Sequence, residues 1–235
     1  MSVFRIGKEL VFPSPDLADE DGLLGIGGDL SPMRLLSAYQ SGIFPWFNDD
    51  SPILWWSPDP RFVLFPRELK VRRSLAKIIR SKRFRVTFDT AFKDVIWQCS
   101  RVPRPGQEGT WITDEMRTAY TALHQMGWAH SCEVWIGHQL VGGLYGVCMG
   151  SFFFGESMFH KESNASQVAL VALCDRLKKA TLIDCQIETS HFRRMGARFI
   201  ARSRFLSLLS EHLLDPVVWD PSQSSEWNPV YKTCE

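Results

Sequence analysis

Glu156 lies in Gly155-Glu156-Ser157-Met158-Phe159, shortly after Phe152, Phe153 and Phe154, while Asp184 and Gln186 lie in Leu182-Ile183-Asp184-Cys185-Gln186-Ile187. Three polar side chains therefore stand among strongly apolar neighbours, and polar groups placed that way usually have a task. A carboxylate in such surroundings can hold an ammonium or a guanidinium. A carboxylate beside an amide can decide which way the amide points, and a neutral amide oxygen accepts hydrogen bonds without holding a proton near pH 7. A purely structural reading competes: Glu156 pairs with a buried arginine and Asp184 caps a loop, since structural ion pairs are common.

Strand alternation places these groups. On a strand over 151–159, Phe152, Phe154, Glu156 and Met158 share one side; on a strand over 181–187, Asp184 and Gln186 share one face and Ile183, Cys185 and Ile187 the other. Asn164 with Gln167 three residues on has the capping-box pattern, so a helix from Val168 through Lys179 crosses between those strands and makes them parallel. Strands are also expected over 129–136 and 139–149, joined around Gly137-His138, with a helix over 114–126 capped by Thr113 and stopped by Gly127. A last helix is expected near 204–213, before an irregular tail.

Earlier in the chain, Ser31, Pro32 and Gly42 read as the cap, first residue and stop of one helix within a region otherwise made of turns. The prolines of Pro58-Asp59-Pro60-Arg61 place a linker near 58–64, which divides the chain into a small N-terminal domain, 1–61, and a larger α/β or α+β domain with a mixed sheet, 62–235.

The chain has 235 residues and a net charge of +1, which argues against indiscriminate nucleic-acid binding. The average hides a basic stretch: Arg67 to Arg85 carries nine lysines and arginines against Glu68 alone. Helical spacing over 70–83 puts Val71, Leu75, Ile78 and Ile79 on one side, leaving Arg72, Arg73, Lys77 and Arg80 as a cationic back. The six cysteines form no C-x-x-C pair and read as reduced core thiols of a cytoplasmic protein, with no zinc site. No secretory signal opens the chain, and the uncharged run from Gln139 to Gly155 is too short and too rich in glycine for a membrane span, so no membrane partner is expected.

Over nearly its whole length the sequence resembles the bacterial leucyl/phenylalanyl-tRNA–protein transferases. The resemblance rests on Gly25-Ile26-Gly27-Gly28-Asp29-Leu30-Ser31-Pro32, Gly42-Ile43-Phe44-Pro45-Trp46-Phe47, Leu54-Trp55-Trp56-Ser57-Pro58-Asp59-Pro60-Arg61, Glu108-Gly109-Thr110-Trp111-Ile112-Thr113, Val141-Gly142-Gly143-Leu144-Tyr145-Gly146-Val147, Gly155-Glu156-Ser157-Met158-Phe159 and Leu182-Ile183-Asp184-Cys185-Gln186, in the family's order. It implies a GNAT-like acyltransferase domain behind the small N-terminal one. It also implies an activity: transfer of Leu or Phe, and less readily Met, from aminoacyl-tRNA to the α-amino group of proteins beginning with Arg or Lys, marking them for N-end-rule degradation.

What the resemblance implies for single residues follows the motifs. Glu156 handles the basic acceptor; Asp184 holds Gln186, whose amide oxygen receives a hydrogen bond from the attacking nitrogen. Leu144, Met158, Leu173 and Ile183 line the pocket for the transferred side chain. Trp46 and Trp111 flank the terminal adenosine of the tRNA, whereas Trp55 and Trp56 read as core. The cationic helix meets tRNA phosphates without reading sequence. The ester on the tRNA is already activated, so no cofactor and no metal are expected.

Two other readings compete. A GNAT-type N-acetyltransferase needs a [QR]-x-x-G-x-[GA] loop for acetyl-CoA, and the nearest stretch, Arg193-Arg194-Met195-Gly196-Ala197-Arg198, fails at its last position. A non-catalytic RNA-binding module would suit the basic helix and the tryptophans but would leave Glu156 and Asp184-x-Gln186 unexplained.

Overall fold

The computed structural model describes residues 3–102 and 112–229. A four-stranded sheet is built from β1 (Phe4–Ile6), β2 (Leu23–Gly27), β3 (Phe44–Pro45) and β4 (Leu54–Trp56), in the order β1-β2-β4-β3. The helix α1 (Pro32–Gln40) runs between β2 and β3 in the chain. Pro32 opens it as expected and Gly42 turns the chain beyond it at φ 73°, but the Ser31 side chain makes no capping hydrogen bond.

The larger sheet has seven strands: β5 (Arg61–Leu64), β6 (Arg85–Phe88), β7 (Ala129–Ile136), β8 (Gln139–Met149), β9 (Phe152–His160), β10 (Leu182–Gln186) and β11 (Arg198–Ile200). Their order is β11-β5-β10-β9-β8-β7-β6, and β9 and β10 make the parallel pair of an otherwise antiparallel arrangement. The fold is therefore mixed α+β. The helices are α2 (Arg73–Arg80), α3 (Phe92–Cys99), α4 (Asp114–Gln125), α5 (Ala165–Arg176), α6 (Ser190–Arg194) and α7 (Arg202–His212).

Both faces of this sheet are covered, which is why its central strands are apolar throughout. On one face Phe92 and Val95 of α3 and Met116 and Tyr120 of α4 share a core with Tyr145, Val147, Phe152 and Phe154. That core continues into Leu35 and Tyr39 of α1, Trp55 of β4 and Phe205 of α7, so it spans both sheets. On the other face Leu75 and Ile79 of α2 and Val168, Ala169 and Leu173 of α5 pack with Leu144, Phe153 and Ile183. Gly142 lets α5 come close, because a Cβ there would lie 2.5 Å from the Cβ of Ala165.

The run from Gln139 to Gly155 is indeed two strands, and the crossover through α5 makes β9 and β10 parallel as the spacing predicts. Thr113 caps α4 by accepting from the Met116 N–H at 3.1 Å. Three local expectations need correction. Asn164 sits at the start of α5 in a left-handed conformation, φ 70°, with no side-chain cap, so the capping box does not form. Val71 precedes α2 and is 40% exposed, so the buried seam of that helix is Leu75 and Ile79. The interruption of the chain ends at Pro60, since Arg61 through Leu64 form a fully buried strand rather than a linker.

Among the described residues Cys99, Cys132, Cys148, Cys174 and Cys185 are all buried. Burial pushes the Cys148 thiol up to about 12, so it packs as a small apolar side chain. No helix among the described residues is long and apolar enough to cross a membrane.

Candidate active site

Glu156 leaves the strand alternation through a bulge. Across β8 and β9, Tyr145 faces Ser157 and Gly146 faces Gly155, so Glu156 is the extra residue on β9. Gly146 tolerates the close approach this brings, because a Cβ there would lie 2.2 Å from the Phe154 carbonyl oxygen. The bulge overturns one expectation: Phe152, Phe154 and Glu156 share a face, but Met158 is shifted to the other one, against Leu144 and α5.

The wall around Glu156 is hydroxylated rather than purely phenylalanine. Tyr39 from α1 donates to Glu156 Oε1 at 2.7 Å and Tyr120 from α4 donates to Oε2 at 3.1 Å, while the two hydroxyls also bond each other. The Gln186 Nε2 amide donates to Oε1 at 2.9 Å. Burial is the main influence on this carboxyl and, against the hydrogen bonds that favour ionisation, pushes it up to about 7. Proton counting agrees with a raised value. The ionised carboxylate leaves two hydroxyl protons for three oxygen–oxygen contacts, whereas the neutral acid supplies the third by donating to one tyrosine hydroxyl, which then donates to the other. Burial and the nearby carboxyl push both tyrosines well above their ordinary range, so they stay protonated donors.

Asp184 and Gln186 do share one face of β10, and a second bulge lies between them in the pairing with β5, where Gln186 takes φ 61°. A glutamine in the left-handed region is unusual and costs free energy that its surroundings must offset. Asp184 contributes to holding it there, accepting the Gln186 backbone N–H at 2.9 Å. Asp184 thus braces the main chain of Gln186, and Glu156 braces its side chain. With the amide nitrogen turned to Glu156, the amide oxygen is the atom Gln186 can present elsewhere.

The buried arginine of the structural reading exists, but it serves Asp184. Arg61 gives Nε to Oδ1 at 2.9 Å and Nη2 to Oδ2 at 2.6 Å, and its guanidinium lies 4.7 Å from the ring centres of both Phe44 and Phe205. Both members of the pair are fully buried. Arg61, Tyr39 and Tyr120 were missed by sequence reasoning as site residues. Arg61 stood only at the end of the proline-broken motif, and helical spacing says nothing of which buried tyrosine hydroxyl will meet a carboxylate on a distant strand.

Leu144, Leu173 and Ile183 are buried in the core cluster on the α5 face of the large sheet, with half-buried Met158 packed on that cluster. Trp46 is half-buried on the small sheet, its ring 5.7 Å from that of Trp56, whose indole N–H donates to the Trp46 carbonyl. Trp55 is core, donating to the Gly27 carbonyl at 2.8 Å. Trp111, with Glu108, Gly109 and Thr110, lies outside the described residues. Arg72, Arg73, Lys77 and Arg80 are all exposed around α2 and form no ion pair among the described residues. No three His, Cys, Asp or Glu side chains among the described residues gather as a metal ion would require.

Comparison with known proteins adds a family model described as leucyl/phenylalanyl-tRNA protein transferase, matching residues 63–210, and one for the N-terminal domain of the same proteins, matching 28–59. The chain is 56% identical over 220 residues to a leucyl/phenylalanyl-tRNA–protein transferase of Syntrophus aciditrophicus, covering 93% of this chain and 92% of that one. It is 54% identical over 225 residues to one of an Anaeromyxobacter species, covering 94% and 96%. A solved Bacteroides thetaiotaomicron protein of unknown function is 15% identical at a TM-score of 0.38, covering 68% of this chain and 57% of that one, too distant to carry an argument.

Proposed function

The chain belongs to the leucyl/phenylalanyl-tRNA–protein transferase family, and we propose that it moves a leucyl, phenylalanyl or, less readily, methionyl group from tRNA to the α-amino group of proteins that begin with Arg or Lys. The observation that carries the proposal is the contact between Gln186 and Glu156, made while Asp184 holds the Gln186 main chain.

The reaction is ester aminolysis, and the ester on the tRNA is already activated. The enzyme's task is to bring amine and carbonyl into attack geometry and to help the amine shed its proton. Gln186 Oε1 accepts a hydrogen bond from the attacking nitrogen and orients its lone pair; it does not keep the proton, which ends on the ribose oxygen released as the C–O ester bond breaks and the amide C–N bond forms. Glu156 fixes the amide so that oxygen rather than nitrogen faces the amine. Three donors occupy three of roughly four acceptor positions of its carboxylate, and the remaining one, on Oε2, meets the cationic end of the acceptor. Asp184 is engaged by Arg61 through both oxygens, which suits a brace better than a proton acceptor.

Leu144, Met158, Leu173 and Ile183 receive the transferred side chain, the pliable Met158 admitting aliphatic and aromatic guests alike. Trp46 and Trp111 stack on the terminal adenosine, a contact worth about 1–3 kcal/mol per base, and the exposed face of α2 meets tRNA phosphates. On this reading the seven-stranded sheet with its helices is the GNAT-like acyltransferase domain, 62–235, behind a small domain at 1–61, and it acts in the cytoplasm within N-end-rule degradation.

The test is transfer of labelled phenylalanine from Phe-tRNA to a protein starting with Arg. Gln186→Ala should slow transfer by orders of magnitude while leaving Phe-tRNA affinity nearly intact. A near-normal rate in that variant would remove the mechanism, and failure of the unaltered protein to transfer would remove the function.

A further inference from the structure

Arg61 opens β5, the strand between β11 and β10, and its guanidinium lies 4.7 Å from the ring centres of both Phe44, on β3, and Phe205, on α7. It is fully buried. Nε and Nη2 both go to Asp184, while Nη1 has no hydrogen-bond partner among the described residues. The hydrogen bonding of this buried cation is thus directed at one carboxylate.

The contact fixes a plane as well as a charge. Asp184 Oδ1 accepts the Arg61 Nε–H and the Gln186 backbone N–H, both at 2.9 Å, and Oδ2 accepts from Nη2 at 2.6 Å. A guanidinium fork engages both oxygens and so stops the carboxylate from turning about its Cβ–Cγ bond, whereas an ammonium supplies the charge at one point and leaves that rotation free. The two aromatic rings hold the guanidinium in turn. Rotation matters here, because Oδ1 meets the Gln186 N–H at the bulge where β10 shifts register against β5 and Gln186 stands at φ 61°.

We propose that Arg61 is a positioning residue of the transfer reaction: through the plane of Asp184 it holds the Gln186 main chain in its left-handed turn, and so keeps the Gln186 amide oxygen on the attacking nitrogen. It also references that amide to the donor. Phe44 stands two residues before Trp46, which the proposed function places on the terminal adenosine, so the cation that sets Gln186 is seated on the strand leading to the donor's platform. Arg61 touches neither substrate and acts through Asp184. The inference rests on the transferase reading above.

The experiment is a double-mutant cycle in the full chain, reading kcat and KM for Phe-tRNA and for an acceptor protein starting with Arg in Arg61→Lys, Gln186→Ala and the two combined. Arg61→Lys should lower kcat roughly 10–100-fold, the scale of a misplacement of about 1 Å, while KM for Phe-tRNA stays within about twofold. Added to Gln186→Ala, it should change the residual rate by less than about twofold, because the amide it positions is gone. Losses that multiply in the combined variant, or an unchanged kcat in Arg61→Lys, would overturn the positioning role. Should Arg61→Lys fold poorly, Arg61→Met with Asp184→Asn removes both buried charges together and enters the same cycle. Gln186→Ala alone tests the transferase reading: a near-native rate there removes its mechanism, whereas a slow Gln186→Ala with multiplying losses removes only the role of Arg61.

Discussion

Glu156→Gln keeps the shape of the side chain and removes its ionisation, which makes it the sharpest probe of the buried cluster. The native carboxyl stands at about 7 against an ordinary 4.5, a difference of about 2.5 pK units, or on the order of 3 kcal/mol at 1.36 kcal/mol per unit. The sign follows from linkage. A carboxyl raised in the folded state contributes its full stabilisation below the unfolded value, and that contribution disappears as pH rises through the folded one. The native protein should therefore lose about 3 kcal/mol relative to Glu156→Gln between about pH 4.5 and about pH 7, then run parallel to it. Denaturant unfolding of both proteins across that range measures this difference directly. Activity should move the opposite way. The ionised carboxylate is the form that holds the Gln186 amide nitrogen and meets a cation, so native kcat/KM for the acceptor protein should climb through about 7. The variant should lack that limb and keep only the one from the acceptor's α-amino group, near about 7.7–8.0. Stability curves that stay parallel from acid to neutral pH would refute the burial argument.

Other consequences can be measured with the same tools. Arg61→Met strands the buried Asp184 carboxylate and should cost about 3–5 kcal/mol in denaturant unfolding; adding Asp184→Asn should return much of that stability without restoring transfer, and a strictly additive double variant would contradict the pairing. Replacing Lys77 and Arg80 together with alanine should weaken tRNA binding and flatten its salt dependence by roughly 0.7–0.9 per lost phosphate contact; an unchanged slope in a binding titration would mean that this face of α2 meets something else.

The long elements of the fold were legible because their patterns repeat. β7, β8 and β9 run 8, 11 and 9 residues, long enough for turns and apolar content to mark them, and α4 announces itself through Thr113 and Gly127. The small sheet was not read, since β1, β3 and β4 span only 3, 2 and 3 residues, too short for any period to show. β5 was mistaken for part of a linker for a related reason: four residues beside two prolines look like an interruption, and only their burial between β10 and β11 makes them a strand. The described tail after α7 is irregular, as the prolines suggest, but its docking, with Trp219 buried against His130 and Glu226 bridged to Thr87, was not legible. Such long-range contacts leave no local trace.

The site was legible as a set of residues but not as an arrangement, and strand register explains the gap. β9 and β10 pair in parallel with Leu182 opposite Phe152, Ile183 opposite Phe153 and Asp184 opposite Phe154. Two residues further along each strand, that offset brings Gln186 level with Glu156, where the amide and carboxylate meet at 2.9 Å. Alternation alone assigns a face to each residue without saying which residue of the next strand stands opposite. Nor does it foresee the bulges, one admitting Glu156 as an extra residue on β9 and one turning Gln186 to φ 61° on β10. Both departures from regular strand geometry fall on the polar residues that the spacing had already singled out. A regular ladder would have kept Met158 on the Glu156 face and away from Leu144 and Ile183. The irregularity thus separates two environments across one sheet: hydrogen-bonded polar groups toward α1 and α4, and an apolar cluster toward α5, which the proposed function assigns to the transferred side chain.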